Sequence, residues 1–460
     1  MTGFSIDADV LVAGAGGAGL VASLVAARSG LSVMTLDSSE RFEQGSNTAM
    51  STAMIPAAGS RWQAAAGIQD DPAIFLADVM RKTNGSADPI VAEALVEVAP
   101  DLVAWLADEV GVPLDLVTDF RYPGHSQHRM HTVPDRSGRT LHAALAAAAR
   151  KEANLTIAVP FRLRTVGFSE RGGFLAEIMD PDGRRETLQV GSVVLATGGY
   201  GANAAMVAEC LPDMRSALYF GSDACSGDAL EIGRALGADI GYLDAYQGHG
   251  SIAVPHNILV TWAAVTHGGI ILGAHGRRFG DESRGYSEYA AEVLSQPGGD
   301  AWVVFDHEID RLCRPFADYG ALVDGGAVRS AADSEALAAL VGAPAESVDS
   351  ALREAGAAAR GDAADPWGRL DWERILDPPY RAVHVTGALI HTQGGLRTNG
   401  HGSVMRDRAP VPGLYACGGA AAGISGHGAG GYLAGNGLLA ALGLGLVAGR
   451  SVVRRSEDLG

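Results

Sequence analysis

The stretch "DADVLVAGAGGAGLVASLVAARSGLSVMTLD", Asp7 to Asp37, decides the fold. Val10 to Ala13 are apolar without a break, which predicts a buried strand. Gly14, Gly16 and Gly19 follow at once as GxGxxG, with Gly17 inside the motif. In such a turn the first glycine permits the bend and the second lets a pyrophosphate approach the backbone. The third lets the helix pack close to the strand. The helix N-terminus then presents free N–H groups and a positive dipole end to phosphates. The second strand ends at Asp37, an acid suited to both ribose hydroxyls, and Ser38 follows. Strand, glycine turn, helix, strand and acid in register predict a dinucleotide site.

The rest of the chain narrows the class. Its 460 residues suffice for two domains or for one with a large insertion. The net charge of -18 is spread along the sequence, which excludes the basic footprint of a nucleic-acid binder. Cys210, Cys225, Cys313 and Cys417 are scattered, with no CxxC, haem-attachment or metal-ligand spacing. That usage fits a reducing cytoplasm. Asp7 and Asp9 precede the first apolar run where a signal peptide needs Lys or Arg. The C-terminal "GLLAALGLGLVAG" reads as too short and too glycine-rich to span a bilayer, so no membrane span is expected.

Two further segments choose between NAD and FAD. "SVVLATGGYGAN" (Ser192 to Asn203) and "VPGLYACGGAAAG" (Val411 to Gly423) are both apolar strands running into glycine turns. Widely separated segments of this kind, returning to one cofactor, are typical of flavoproteins. With "SNTAMSTAMIPAAG", "SGDALEIGRALGA", "GRRFGDES", "HTQGGL" and "GYLAGNGLL", they give a chain that resembles the fumarate reductase/succinate dehydrogenase flavoprotein family. That family also holds the 3-ketosteroid dehydrogenases. The resemblance runs over nearly the whole chain.

It implies an α/β fold: a Rossmann-like FAD-binding domain, residues 1–247 and 385–460, with an inserted α+β cap domain, 248–384. It also implies that FAD is held by the N-terminal glycines and Asp37, by Ser38, Asn47, Thr48, Ser51 and Thr52, and by Thr197, Gly198 and Asp228. Gly418, Asn436 and Leu438 complete the set. Family members that attach FAD covalently do so through a histidine in an S-H-T segment. Asn47 stands there in this chain, so non-covalent FAD is expected. The family acid after "LYAAG" is replaced by Gly419. "SEALAALVGAPAESVDSALREAGAAA" predicts two short amphipathic helices around a Gly-Ala-Pro turn, a piece of the cap. "FRLRTVGFSERGGFLAEIMDPDGRRETLQV" predicts a hairpin with Asp-Gly at its turn.

The cap segment "GRRFGDESRGYSE" carries the proton chemistry. In fumarate reductases a catalytic arginine follows this segment and is fed by a Thr-Glu-x-x-Arg relay. Here Thr261 is kept, but Trp262 and Val265 stand at the relay positions, and neither side chain carries a proton. An ungapped count from Glu282 puts Tyr286 at the arginine's place. "DESRGY" resembles the 3-ketosteroid dehydrogenase segment whose tyrosine is the base. Tyr432 in "GGYLAGNG" is similar to the second family tyrosine, which holds the substrate ketone, and Tyr122 is the candidate third. Arg284, two residues from Tyr286, is the nearby cation that lowers a phenol's pKa.

His391 in "HTQGG" aligns with the family histidine that holds a substrate carboxylate or carbonyl. His427 is kept from the C-terminal "HGANRLGGN" type of segment, but its substrate arginine is absent, which favours a ketone or monocarboxylate over a dicarboxylate. His125, His128 and His131 in "HSQHRMH" lack a known zinc spacing and read as a polar pocket wall, with Arg129 a candidate for a substrate carboxylate.

The expected enzyme is an FAD-dependent desaturase of a small cyclic ketone such as an oxocyclohexanecarboxylate. Tyr286, Tyr432, Arg284 and His391 are the candidate catalytic residues; Tyr122, Arg129, Thr261 and His427 are the candidate substrate contacts. No metal is expected. The electron acceptor is oxygen, a quinone or a redox protein. Carboxylate dehydrogenation, as in the tricarballylate dehydrogenases that the "GGYLAG" tail resembles, alkene reduction at the same site, and flavin binding without turnover are the alternatives.

Overall fold

The apolar run Ala8–Ala13 becomes strand β1, and Gly17–Arg28 becomes helix α1 after the glycine turn. A computed structural model describes residues 7–459. Val33–Leu36 (β2) and Leu155–Ala158 (β3) extend the sheet on one side of β1. Arg185–Leu195 (β4) and Ala409–Ala416 (β5) extend it on the other, and all five run parallel. Ser403–Arg406 pairs antiparallel on the β5 edge. Val193, Val194 and Leu195 of β4 are completely buried, as a parallel strand covered on both faces requires. Arg162–Phe168 and Phe174–Met179 join β4 as an antiparallel meander, so the stretch expected to form one hairpin forms two. Asp182-Gly183 sits at the second turn, with Gly183 at φ 80°.

Helix α1 is buried on nearly every side. Its partner is Leu444–Leu459 (α2). A β-carbon at Gly445 would stand 2.5 Å from the Ala18 carbonyl oxygen, and one at Gly449 2.8 Å from Val25 Cβ. The two helices touch through these side-chain-free positions. The helical run continues back through Leu439–Gly443 to Asn436, which corrects the expectation of a short apolar tail. At 24 residues and mean hydropathy 1.5 it is long and apolar enough to cross a bilayer by length and composition. Its apolar window is 72% buried inside the protein, so packing accounts for its character.

The described residues fall into two compact units. The first holds the chain up to Pro212, Gly221–Tyr246 and the chain from His391 onward; the second holds Asp213–Phe220 and Gln247–Ile390. The second unit is built on a mixed sheet in which Asp300–Asp306 pairs antiparallel with both Ile270–Leu272 and Tyr380–Thr392. Helices Ser334–Val341 and Ala345–Arg360 pack on it around the Gly342-Ala-Pro turn. They bring Leu337, Val341, Val348 and Ala351 against Ile270, Leu272 and Val304. Asp333 caps the first of these helices through the Ala336 N–H at 2.8 Å.

The segment "GRRFGDESRGYSE" is anchored in the second unit by buried charge. Arg278 donates to both oxygens of Glu282, at 2.8 and 2.6 Å, and to Asp365. Arg369 reaches Glu282 and donates to the carbonyls of Gly269 and Val265. Both guanidinium groups lie over the Trp372 ring, at 5.1 and 3.9 Å. Glu282 is wholly buried, so its charge is held by these two arginines.

Candidate active site

The glycine turn is shaped by close contacts. A β-carbon on Gly14 would lie 2.1 Å from the Ala196 carbonyl oxygen, and one on Gly19 1.8 Å from the Gly14 carbonyl oxygen. Gly14 also has φ 111°, so two separate constraints demand glycine there. A β-carbon on Gly16 meets nothing within 4 Å, which leaves that side of the turn clear for a ligand. Thr48 Oγ1 accepts from Gly17 N at 3.1 Å, placing "SNTAMST" against the start of α1. Asp37 accepts from Ala15 N and Ser39 N, both at 2.8 Å. Burial raises its pKa, against the lowering effect of those two bonds. Ser38 beside it is exposed.

Two of the candidate cofactor residues carry buried groups with no partner in the protein. Both amide atoms of fully buried Asn436 are unpartnered, and so is the buried hydroxyl of Thr197. A buried amide without hydrogen bonds is costly, so its retention marks a ligand's place. An open glycine turn, a helix N-terminus and these orphaned groups fit a dinucleotide cofactor. Gly198 (φ 73°) and Gly418 (φ 62°) line the same strand ends, and Leu438 follows Asn436 in its short helix. Ser51 donates to Thr48 O at 2.8 Å, and the Thr52 hydroxyl bonds Tyr122. Asn47 is engaged at both ends: Oδ1 accepts from Ser222 N at 2.7 Å, and Nδ2 faces Cys225 Sγ at 3.7 Å. Asp228 is taken up by Arg162 and by the Ser226 hydroxyl.

His391 and Tyr432 come together in the first unit. Their rings meet edge to face, centroids 6.0 Å apart. A β-carbon on Gly437 would stand 2.5 Å from His391 Nε2 and 3.4 Å from the Tyr432 oxygen. His391 Nε2 thus packs into the room that a side chain at residue 437 would need, with the Tyr432 hydroxyl close by. Burial pushes His391 down to about 4, so it is neutral at pH 7. Tyr122 lies beside Tyr432, edge-on to Phe120, and burial raises its phenol. Gly437 is absent from the sequence expectations; the signal for it was its place inside "GGYLAGNG".

Tyr286 has a different setting in the second unit. Its ring stacks on His249, centroids 4.9 Å apart and planes 23° from parallel, and meets the Trp262 ring at 6.2 Å. His249 is buried, and desolvation pushes it down to about 3. Ser251 N donates to His249 Nδ1 at 3.3 Å. The buried Trp262 indole N–H has no partner. Arg284 is exposed two residues before Tyr286. Thr261 accepts from Ala263 N at 3.3 Å, which starts the short helix Ala263–Thr266. Sequence reasoning missed His249, because one histidine in an apolar, glycine-broken strand reads as packing.

Several expectations are corrected. Arg129 is fully buried, with its guanidinium on Asp70 at 2.9 and 3.0 Å and on Asp78 at 2.6 Å, over the Phe75 ring. Those donors are engaged and do not reach a substrate carboxylate. The "HSQHRMH" histidines are ties rather than a pocket wall. His125 bonds the Ala434 carbonyl at 3.0 Å, His128 the Phe120 carbonyl at 3.2 Å and His131 the Ser60 hydroxyl at 2.7 Å. His427 is at the surface, paired with Asp244 at 2.8 Å. Among the described residues, no group of three or more His, Cys, Asp or Glu is placed to hold a metal.

Comparison with known proteins places this geometry. The family model described as "FAD binding domain" matches residues 9–438. The chain is similar to an NADH:fumarate oxidoreductase of Klebsiella pneumoniae, at 27% identity over 98% of the chain and 48% of that protein, about half its length. It is 26% identical to a 4-oxocyclohexanecarboxylate 2-dehydrogenase of Sinomonas cyclohexanicum, over 93% of the chain and 92% of that protein. Among solved structures it resembles an open flavocytochrome c3 fumarate reductase, with TM-score 0.80, 26% identity and coverage of 98% and 78%. It shares the fold of a 3-ketosteroid-delta4-(5alpha)-dehydrogenase from Rhodococcus jostii RHA1, with TM-score 0.75, 24% identity and 98% coverage of both chains.

Proposed function

The chain belongs to the FAD binding domain family, and on that premise we propose that it is an FAD-dependent dehydrogenase that desaturates a CH–CH bond next to a carbonyl. The carrying observation is the pairing of His391 with Tyr432, whose rings meet edge to face against Gly437. A ketone makes its neighbouring C–H acidic only if its oxygen is stabilised as charge builds up, and two neutral donors aimed at one point do this. A small cyclic ketone such as an oxocyclohexanecarboxylate fits that chemistry, and the Sinomonas relative supports it.

The roles follow. His391 and Tyr432 hold the carbonyl oxygen, and the proton falls to a tyrosine base, the role that the resemblance of "DESRGY" gives to Tyr286. Bound FAD would supply the hydride acceptor for the next carbon. The substrate thus loses one proton and one hydride and gains a carbon–carbon double bond. Oxygen, a quinone or a redox protein would serve as the electron acceptor. Gly14, Gly16, Asp37, Thr48, Thr197 and Asn436 hold the cofactor. Attachment is non-covalent, because Asn47 carries an amide rather than a nucleophile and both ends of that amide are engaged. Residues 248–384 serve as the substrate cap.

Anaerobic mixing of the yellow protein with cyclic ketones and with carboxylates tests this. Flavin bleaching by a cyclic ketone is expected, and bleaching by dicarboxylates alone sinks the ketone reading. A second reading, reduction of an activated alkene, draws support from the fumarate-reducing relatives. It predicts that fumarate restores the yellow colour of the chemically reduced protein.

A further inference from the structure

His142 is wholly buried inside the first unit, on the helix Gly138–Ala149. Its place follows from Gly138, four residues earlier and so on the same helix face. A β-carbon on Gly138 would stand 2.0 Å from the Thr48 carbonyl oxygen, and the Gly138 N–H donates to the Ser51 carbonyl at 2.7 Å. The missing side chain lets the helix close onto "SNTAMST", the segment that holds Gly17 N through Thr48. One turn on, His142 Nε2 reaches the carbonyl oxygen of Ala15 in the glycine turn, at 2.9 Å. The ring rests edge-on against Phe42, centroids 5.8 Å apart. A carbonyl only accepts, so Nε2 carries the ring proton. Nδ1 is buried and has no partner in the protein, so no second contact competes for that proton. Burial holds the imidazole below its ordinary value, which keeps it neutral.

We propose that His142 is a positioning residue for the cofactor's diphosphate: by gripping the Ala15 carbonyl it fixes the Gly16 N–H as an anion donor. The Ala15–Gly16 peptide is planar and trans, so its C=O and N–H point in opposite directions. With the oxygen tied to His142, the N–H on the other edge faces away from that ring. No protein acceptor meets this N–H among the described residues, and a β-carbon on Gly16 would meet nothing within 4 Å. Asp37 holds the other polar atom of Ala15, accepting its N–H at 2.8 Å. The peptide therefore cannot flip without losing the His142 bond. A flipped peptide would offer a carbonyl oxygen, which repels a phosphate oxygen. A turn fixed in the donor orientation before its ligand arrives loses less freedom on binding. This rests on the reading above that the glycine turn receives FAD, and it is independent of the substrate.

The test is calorimetric titration of the full chain, stripped of its cofactor, with FAD and separately with ADP. ADP brings the diphosphate without the flavin. His142→Leu and His142→Met remove the donor. Each should weaken FAD and ADP alike, by about tenfold or more, the usual worth of a hydrogen bond to a charged group. His142→Gln returns an N–H donor near the place of Nε2 and should recover most of the loss. A side chain that only packed would change the melting temperature of the stripped protein and leave both affinities where they were. Native affinities in the Leu and Met variants overturn the role. So does a loss confined to FAD, or a Gln variant as weak as the other two. Where neither non-donor variant folds, nitrogen NMR of 15N-labelled histidine in the native protein decides: a ring proton on Nε2 supports the role and one on Nδ1 overturns it. A native chain that binds neither FAD nor ADP sinks the cofactor reading and the role of His142 with it. Native binding with unmoved variants sinks the role of His142 alone.

Discussion

The imidazole of His249 lies flat against the phenol ring of Tyr286, 4.9 Å between centroids. A buried imidazole held neutral adds no charge beside that phenol, so it fixes the ring's orientation without settling its protonation. Tyr286→Phe keeps the stack and removes only the hydroxyl. Turnover should fall by about 10²-fold or more, the usual contribution of a positioned base, with FAD content and thermal stability unchanged. Near-normal rates in stopped-flow flavin reduction would show that another group takes the proton.

Gly437→Ala places a methyl 2.5 Å from His391 Nε2 and 3.4 Å from the Tyr432 oxygen, so the imidazole must shift. The variant should remain folded, since the carbon meets side chains rather than backbone. It should lose ketone-dependent bleaching by an order of magnitude or more. Equal bleaching in both proteins would move the carbonyl site elsewhere.

Asn436→Leu removes a buried amide that has no protein partner. The apoprotein should become more stable, on the order of 1 kcal/mol, because an unsatisfied polar group is gone. FAD retention on gel filtration should drop at the same time. A variant that purifies fully yellow would detach Asn436 from the cofactor.

Burial holds His125 and His249 near 3 and His131 near 4, below an ordinary value of 6.5. On acidification the unfolded chain takes up these protons near pH 6.5, while the folded chain resists until about pH 4. Between those values the unfolded state binds more protons. Stability is therefore full above pH 6.5 and falls as pH drops toward 4, by at most about 1.4 kcal/mol per pH unit for each histidine. Thermal melts at pH 7, 6 and 5 should step downward. A flat series would mean that these rings already carry protons in the fold.

Glu282→Gln strips the charge shared by Arg278 and Arg369. Breaking a buried ion pair from one side costs about 3–5 kcal/mol. Urea unfolding of the variant should show a loss of that size, and an unchanged midpoint would mean that Asp365 alone satisfies the cluster.

How much of this was legible depended on distance along the chain. The glycine turn was readable because Gly14, Gly16 and Gly19 act on neighbours within one strand–turn–helix unit. The two helices around Gly342 were readable for the same reason. Arg129 was misread because the carboxylates that hold it, Asp70 and Asp78, lie some fifty to sixty residues away and nothing local announces them. His427 was misread because a motif position says nothing about Asp244. The tail helix was underestimated because its glycines, Gly445 and Gly449, counted as breakers, whereas they are contact points for α1. His142 had no signal at all: an imidazole on the carbonyl of Ala15 acquires meaning only once the chain has folded.

The pairing of α1 with α2 also sets a timetable. Helix α1 ends at Arg28 and the helix that covers it begins at Leu444. At roughly 5–20 residues per second on the ribosome, tens of seconds separate their synthesis. Throughout that interval the face of α1 that α2 will cover has no permanent partner. Helper proteins that shield nascent apolar segments, and slow codons placed late in the message, would therefore act on the yield of this protein more than on its final stability.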